Sequence, residues 1–332
     1  MSTNSAGTYN EVSCPVCHNR DAKPLYRYTV SQAASHFCPP SRDPARYGRL
    51  LNSIRRLWEG NECVILQCGN CQFGFAHPFV GGDEEFYHIL HVQKDYPAWR
   101  WDYDVAVAEA VEKFTEGKIL DIGAGVGMFL ARLNQNWDRY AVEGSEVTRC
   151  ELEASNVTVF RDMDKAVQSH AGSFQVVTLF QVLEHIAEFD ILLKQCYELL
   201  APGGRLVITV PDGDAMIRQE RITGCADMPP NHIGKWTPTS LTRVLTPLGF
   251  ECSEPLAEPS SWKNLKANLH MRVSADAANH NTLAAQAYRV RSKTIRKVTL
   301  SLLAGPALMR MFHHRMHLRT GGAFAIVSRR CA

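Results

Sequence analysis

The sequence predicts an α/β fold with a doubly wound, mostly parallel sheet, and three observations carry that expectation. From about residue 117 strand-like and helical runs alternate singly; one strand ends in glycines at 123, 125 and 127; and the 332 residues are 45% apolar and 21% charged, enough for a full core. Strands separated by single helices need right-handed crossovers, which cover both faces of a parallel sheet.

The first element precedes that pattern. Residues 14–17 read "CPVC" and residues 68–71 read "CGNC". Two C-x-x-C knuckles, each presenting two thiolates from a tight turn, supply the four sulfurs of a closed tetrahedral zinc site, so Cys14, Cys17, Cys68 and Cys71 are the expected ligands. A site closed by four thiolates leaves no position for substrate, and the zinc is expected to be structural. The runs "ECVILQ" and "FGFAHPF" flank the second knuckle like the strands of a zinc-ribbon hairpin. Residues 18–67 must then hold an insertion, with "SRDPARYGRLLNSIRRLWEG" its helical part. Cys38 and Cys63 are alternative ligands, whereas Cys150, Cys196, Cys225, Cys252 and Cys331 are scattered and suit packing. Residues 1–83 are read as this zinc-ribbon-like module. The polar opening "MSTNSAGTYNEV" lacks the basic start and apolar run of an export signal, and no apolar run reaches about 18 residues. A cytoplasmic protein is expected, whose paired cysteines hold metal rather than disulfides.

Residues 84–332 are read as the second domain. An aromatic-rich helical stretch from residue 84 leads into strand "KILDIG", helix "GMFLARLNQN", strand "RYAVEGS", helix "VTRCELEAS" and strand "VTVFRD". Strand "FQVVTLF", helix "AEFDILLKQCYELL" and strand "GGRLVITVPD" follow. Then come helix "TPTSLTRVLTPLGF" with its glycine stop, a strand near "FECSEPLAE", a basic helical insertion over about 260–319 and a last strand "GAFAIVSRR".

The glycine spacing selects the cofactor. A dinucleotide fingerprint needs G-x-G-x-x-G, in which the third glycine lets the helix amides approach a pyrophosphate. Here Gly123, Gly125 and Gly127 make G-x-G-x-G, and Met128 stands where that third glycine belongs. A cofactor without phosphate needs only a backbone flat enough to lie against a sugar and an amino acid, which describes S-adenosylmethionine.

With "LDIGAGVG" ending one strand and "YAVEGS" the next, residues from about 96 to 255 resemble a class I S-adenosylmethionine-dependent methyltransferase of the subfamily carrying an "LEH" segment. The resemblance implies a Rossmann-like fold with a seven-stranded sheet. It implies that Asp121, Gly123, Gly125 and Gly127 line the cofactor, and that Glu143 accepts both ribose hydroxyls. It places Asp162 and Met163, in "VFRDM", at the adenine, although Asp162 also suits a plain turn. Phe180 and Gln181, in "LFQVLEHI", would touch the methionine part, and "LLAPGGRLVITVPD" and "NHIGKWTPTSLTRVLTPLGF" match the turn before the fifth strand and the substrate mouth.

Methyl transfer is an in-line displacement, so alignment supplies much of the rate and a base is needed only where the acceptor must lose a proton. His185 and His232 are the candidate bases, because imidazole titrates near neutral pH; each also suits a structural role. Glu184, His185 and Glu188 form an alternative divalent-metal cluster. For the acceptor, a small-molecule or glycan-like substrate methylated at oxygen or carbon is expected. The "LEH" and "HIGKW" segments resemble ubiquinone-pathway O-methyltransferases, cysteine-rich modules precede nucleotide-sugar C-methyltransferases, and no N/D-P-P-Y motif for base amines follows the fourth strand. Five arginines over residues 41–56 keep an RNA-modifying enzyme open, and a non-catalytic cofactor-binding scaffold is the third reading. The charge is asymmetric. No acidic residue follows Asp276, while ten Lys and Arg lie between Arg289 and Arg330. That segment suits either peripheral contact with an anionic membrane or a solvated helical lid.

Overall fold

The computed structural model describes residues 11–41, 43–90, 99–223, 228–262, 264–266 and 321–331, with scattered positions between 269 and 309. The described residues fall into two compact units: Met1–Gly213 with Met228–Leu256 and Phe324–Ala332, and Asp214–Asp227 with Ala257–Ala323. Cys225 and most of the expected 260–319 insertion lie outside the described residues.

Two sheets organise the larger unit. The first begins with β1 (Ala22–Thr29), runs through helices α1 (Val30–Phe37) and α2 (Pro44–Leu57), and continues with β2 (Glu62–Cys68) and β3 (Gly74–His77). Thr29 starts α1 with a reciprocal capping box to Gln32, and Asp43 caps α2 ahead of Pro44, whose missing N–H is unneeded in a first turn. After α3 (Glu84–Leu90) and α4 (Trp101–Glu109) come β4 (Gly117–Ile122), β5 (Trp137–Val142), α5 (Glu146–Ala154), β6 (Thr158–Phe160) and α6 (Met163–His170). Then follow β7 (Phe174–Phe180), α7 (Phe189–Leu199), β8 (Leu200–Pro211), α8 (Gly213–Thr223), β9 (Gly234–Lys235), α9 (Pro238–Leu245), β10 (Phe250–Cys252), β11 (Leu256–Ala257) and β12 (Ala323–Arg330).

The larger sheet has the order β10-β12-β8-β7-β4-β5-β6, with β11 paired to β12 as an eighth strand where seven are expected. Pairs β4–β5, β4–β7, β5–β6 and β7–β8 are parallel, and β10–β12 is antiparallel. Ile119, Leu120 and Ile122 of β4 are all buried, as a central strand covered on both faces requires. One expectation fails. The helix read from "GMFLARLNQN" is only a single 3-10 turn, Leu130–Arg132, between turns. Gly127 is left-handed, and the Asn134 side chain accepts from the Asn136 N–H, so the chain turns back into β5 after burying Phe129, Leu130 and Leu133.

The smaller sheet has the order β1-β2-β3-β9. Its fourth strand arrives from more than 150 residues downstream: Gly74 pairs with Lys235 and Phe75 with Gly234. The two sheets share one core. Trp236 packs between Phe73 and Phe189, with ring centroids 4.6 Å and 5.0 Å apart. Fully burying an aromatic of this size contributes about 1.5–3 kcal/mol, so the joint is strong. Among the described residues no helix is long and apolar enough to cross a membrane.

Candidate functional site

The cysteine knuckles are built alike. The N–H of Cys14 donates to Asn19 O and that of His18 to Cys14 O; the N–H of Cys68 donates to Phe73 O and that of Gln72 to Cys68 O. His18 and Gln72, each four residues after the first cysteine, take left-handed φ values of 57° and 60°. The two turns bring Cys14 Sγ to 3.6 Å from Cys71 Sγ and Cys17 Sγ to 3.5 Å from Cys68 Sγ, with all four sulfurs within 4.8 Å of one another. Zinc–sulfur bonds of about 2.3 Å set a tetrahedral edge of about 3.8 Å, so this donor set fits the ion. Four thiols so close share protons unevenly. The hydrogen bond with Cys71, then burial, push the Cys14 thiol up, while the same bond holds Cys71 down at about 5. Cys38 and Cys63 stand outside the cluster: the Cys38 thiol donates to Pro39 O and Asp43 O, and burial pushes Cys63 up to about 12.

At the carboxyl end of β4 the glycine loop takes the left-handed conformations its residues permit, with φ of 72°, 54° and 73° at Gly123, Gly125 and Gly127. A Cβ on Gly123 would stand 2.7 Å from Val182, and one on Gly127 2.5 Å from Leu152. Glu143, just beyond β5, clamps this loop: Oε2 accepts from the Gly125 N–H at 3.0 Å and Oε1 from the Ser145 N–H at 2.9 Å. Each carboxylate oxygen keeps a second acceptor site for a hydroxyl. Asp121 is buried, accepts from Thr178 Oγ1 at 2.8 Å, and has its carboxyl pushed up to about 7 by burial.

Asp162 caps α6, its Oδ1 accepting from the Lys165 N–H at 3.0 Å, which is the turn role the sequence also allowed. Met163 begins the same helix and packs against the main core. Phe180 packs between Tyr103 and Phe129. Gln181, at φ 58°, donates its N–H to Thr209 O.

Thr209 leads to residues that sequence reasoning missed. Its hydroxyl donates to Asp102 Oδ2 at 3.0 Å, and the Asp102 carboxylate, fully buried, also accepts two hydrogen bonds from Arg100. This arginine contributes a fixed positive charge to the surroundings of Asp121. The signal available was "WRWDYD", a base and an acid two residues apart at a helix start.

His185 and His232 come together, with ring centroids 4.7 Å apart. His185 lies in the 3-10 turn after β7, and its Nδ1 is 2.7 Å from Asn231 O. A carbonyl only accepts, so Nδ1 carries the proton and Nε2 is the basic nitrogen. Buried Glu184 sits 3.9 Å from that Nε2, and with His232 the three offer ligand atoms within 4.8 Å of one another. Glu188, expected in a metal cluster with Glu184 and His185, is not part of this group. Tyr87, another residue missed, places its hydroxyl 3.2 Å from His185 Nδ1, and burial pushes its ionisation up. Backbone pairing fixes the arrangement: the Ile233 N–H donates to Glu184 O, Ala76 N–H to Ile233 O and Gly82 N–H to Pro230 O.

With this geometry in view, residues 100–254 match a family model described as a methyltransferase domain. Among curated proteins it is similar to a ubiquinone biosynthesis O-methyltransferase of Chelativorans sp., 25% identical over 146 residues, covering 39% of this chain and 52% of the relative. An enzyme of the same description from Xanthomonas axonopodis is 32% identical over 107 residues, 28% of this chain and 42% of the relative. The chain thus spans about half the length of the curated relatives it matches. Among solved structures, a SAM-dependent methyltransferase from Archaeoglobus fulgidus aligns with 69% of this chain and 94% of its own, at 17% identity and a TM-score of 0.43. The matched segment covers the glycine loop, Glu143, His185 and His232, while the four cysteines lie before it.

Proposed function

We propose that the chain is an S-adenosylmethionine-dependent methyltransferase that methylates oxygen or carbon of a small-molecule or glycan- or lipid-linked acceptor, with a structural zinc held by Cys14, Cys17, Cys68 and Cys71. The observation that carries the cofactor reading is the clamp between Glu143 and the glycine loop. It sets a carboxylate with spare acceptor capacity at a strand end, beside backbone that a ribose can approach closely. When bound, S-adenosylmethionine supplies a methyl group on a positively charged sulfur.

The chain's own residues handle the proton. Asn231 O fixes the His185 tautomer so that Nε2 takes a proton from the acceptor, and the Glu184 carboxylate stabilises the imidazolium that results. The Tyr87 hydroxyl accepts from the same Nδ1 and limits rotation of the ring. Against the RNA reading, Arg46 donates to Ile89 O and Leu90 O, and Arg56 pairs with Asp83 and Glu85, so two of the five arginines of residues 41–56 are engaged internally.

Calorimetry tests the cofactor: S-adenosylmethionine and its demethylated product are expected to bind, and NADH is not. Binding of NADH without S-adenosylmethionine would overturn the reading. For the acceptor, cofactor labelled in its methyl group is incubated with the protein and fractionated cell extract. Label is expected in small-molecule or lipid fractions, and label confined to RNA would favour the nucleic-acid enzyme instead.

A further inference from the structure

One side of the His185 imidazole is walled by residues that precede the segment 100–254. Beyond β3 the chain passes through Gly81 and Gly82 into α3, so close to the turn Leu183–His185 that a Cβ on Gly81 would overlap His185 O. The helix then sets the Tyr87 hydroxyl 3.2 Å from His185 Nδ1, with Phe86 and Ile89 buried beneath it. A helix of 7 residues does not hold itself in water, so whatever fixes α3 also fixes Tyr87. That hold comes from α2, at both ends. At the C-terminal end the Arg46 guanidinium donates from Nε to Ile89 O at 3.0 Å and from Nη2 to Leu90 O at 2.7 Å, satisfying carbonyls that a helix end leaves without intrahelical partners. At the N-terminal end Asp83 Oδ1 accepts from the Phe86 N–H at 2.9 Å, and Arg56 pairs with Asp83 and Glu85. The two holds are unequal. The Arg56 side chain is 51% exposed and its ion pairs are screened by water, whereas Arg46 is half-buried and makes two directed bonds from one rigid fork.

We propose that Arg46 is a positioning residue for His185: by gripping the C-terminal carbonyls of α3 it keeps the Tyr87 hydroxyl on Nδ1, and so holds the ring whose Nε2 takes the proton. Asn231 O sets the tautomer, and Tyr87 restrains the ring from a second element. Without Tyr87 in place the imidazole would pivot on a single carbonyl, and a small misplacement of Nε2 is enough to slow a proton transfer that depends on alignment. A direct role for Arg46 in gripping a carboxylate or phosphate of the acceptor fits less well, because the edge of the fork that would take such a group already donates to Ile89 O and Leu90 O. The function assigned to Arg46 rests on the reading of His185 as the base, whereas its grip on the ring is a property of the imidazole that can be measured without any acceptor.

Nuclear magnetic resonance of the full chain labelled with 15N-histidine tests it, with the His185 Nδ1 proton assigned through its loss in His185→Gln. Tyr87→Phe is expected to speed exchange of that proton with water by about tenfold, the equivalent of one lost hydrogen bond. Arg46→Ala should match it within a few fold, and Arg46→Ala with Tyr87→Phe should be no faster than Tyr87→Phe alone, because residues that act in series do not add. Arg46→Lys, which offers one compact cation in place of a fork, should restore part of the protection, and Arg56→Ala should change it by less than about twofold. The His170 ring, whose Nδ1 lies 2.8 Å from Ser169 Oγ on α6, is the control and should keep its resonances in every variant. Where Arg46→Ala does not fold, Arg46→Lys takes its place in the same comparison. Three results would overturn the proposal: a wild-type His185 Nδ1 proton without protection, wild-type exchange in the Arg46 variant, or effects of the Arg46 and Tyr87 variants that add. Inactivity of His185 in proton transfer, by contrast, would remove the base reading and leave the measured grip on the ring intact.

Discussion

The four-cysteine cluster and the glycine loop are both tight turns at strand ends, but one is made of side chains and the other of backbone. In the cluster the converging atoms are sulfurs from two knuckles 50 residues apart, and a left-handed non-glycine residue closes each turn at His18 and Gln72. In the loop the exposed element is the backbone itself, and Gly123 and Gly127 carry no side chain because Val182 and Leu152 occupy the space a Cβ would take. The contrast teaches where each site is vulnerable. Removal of one atom type destroys the cluster, whereas addition of one methyl group damages the loop.

The largest effect is expected at the cluster. About one zinc per chain should be bound, and chelation, or Cys14→Ala with Cys68→Ala, should remove it and cost on the order of several kcal/mol of stability. Because Phe73 follows the second knuckle and packs on Trp236, the loss should change tryptophan fluorescence and expose residues 11–83 to protease. Elemental analysis showing no zinc in the wild type would break the comparison.

His185 belongs to neither construction, since a side chain is held there by a backbone carbonyl. His185→Ala should lower turnover by about 10²–10⁴ while cofactor affinity stays within a few fold, because the proton moves only in the transition state. Wild-type activity across the neutral range would leave the residue a structural role. On the loop side, Glu143→Ala removes the clamp and the ribose acceptor together and should weaken S-adenosylmethionine binding by roughly 1.5–3 kcal/mol in calorimetry. Gly123→Ala should cost about 1–2 kcal/mol of stability from its left-handed φ alone, measured by denaturant melts; a neutral result would mean that the backbone is not what restricts this position.

The last effect is a pH dependence. Asp121 has its folded pKa at about 7, above the unfolded value near 3.9, so the folded chain holds the extra proton between them. Its contribution therefore favours folding most at low pH and is lost as pH rises to about 7, at a slope of at most about 1.4 kcal/mol per pH unit. Asp121→Asn should flatten that part of the stability profile. An identical profile in the variant would mean that the carboxyl ionises without hindrance from burial.

The residues alone determined the alternation of β5 to β8 with single helices, the cysteine pairs and the glycine spacing, because these are properties of neighbours in the chain. Periodicity reports burial, a C-x-x-C turn brings its own sulfurs together, and left-handed turns select glycine. Only the tertiary structure decided what depends on distant neighbours. The pairing of β3 with β9 carries His232 to His185, and the position of α3 brings Tyr87 to the same imidazole across 98 residues. The Arg100–Asp102–Thr209 network joins the start of α4 to β8 in the same way. The missing helix after Gly127 has the opposite cause. Apolar spacing there promised a helix, but Phe129, Leu130 and Leu133 reach the core from turns, since the chain has only a few residues in which to return to β5. Spacing shows which residues are buried; whether a helix or a set of turns buries them is fixed by the strand that must follow.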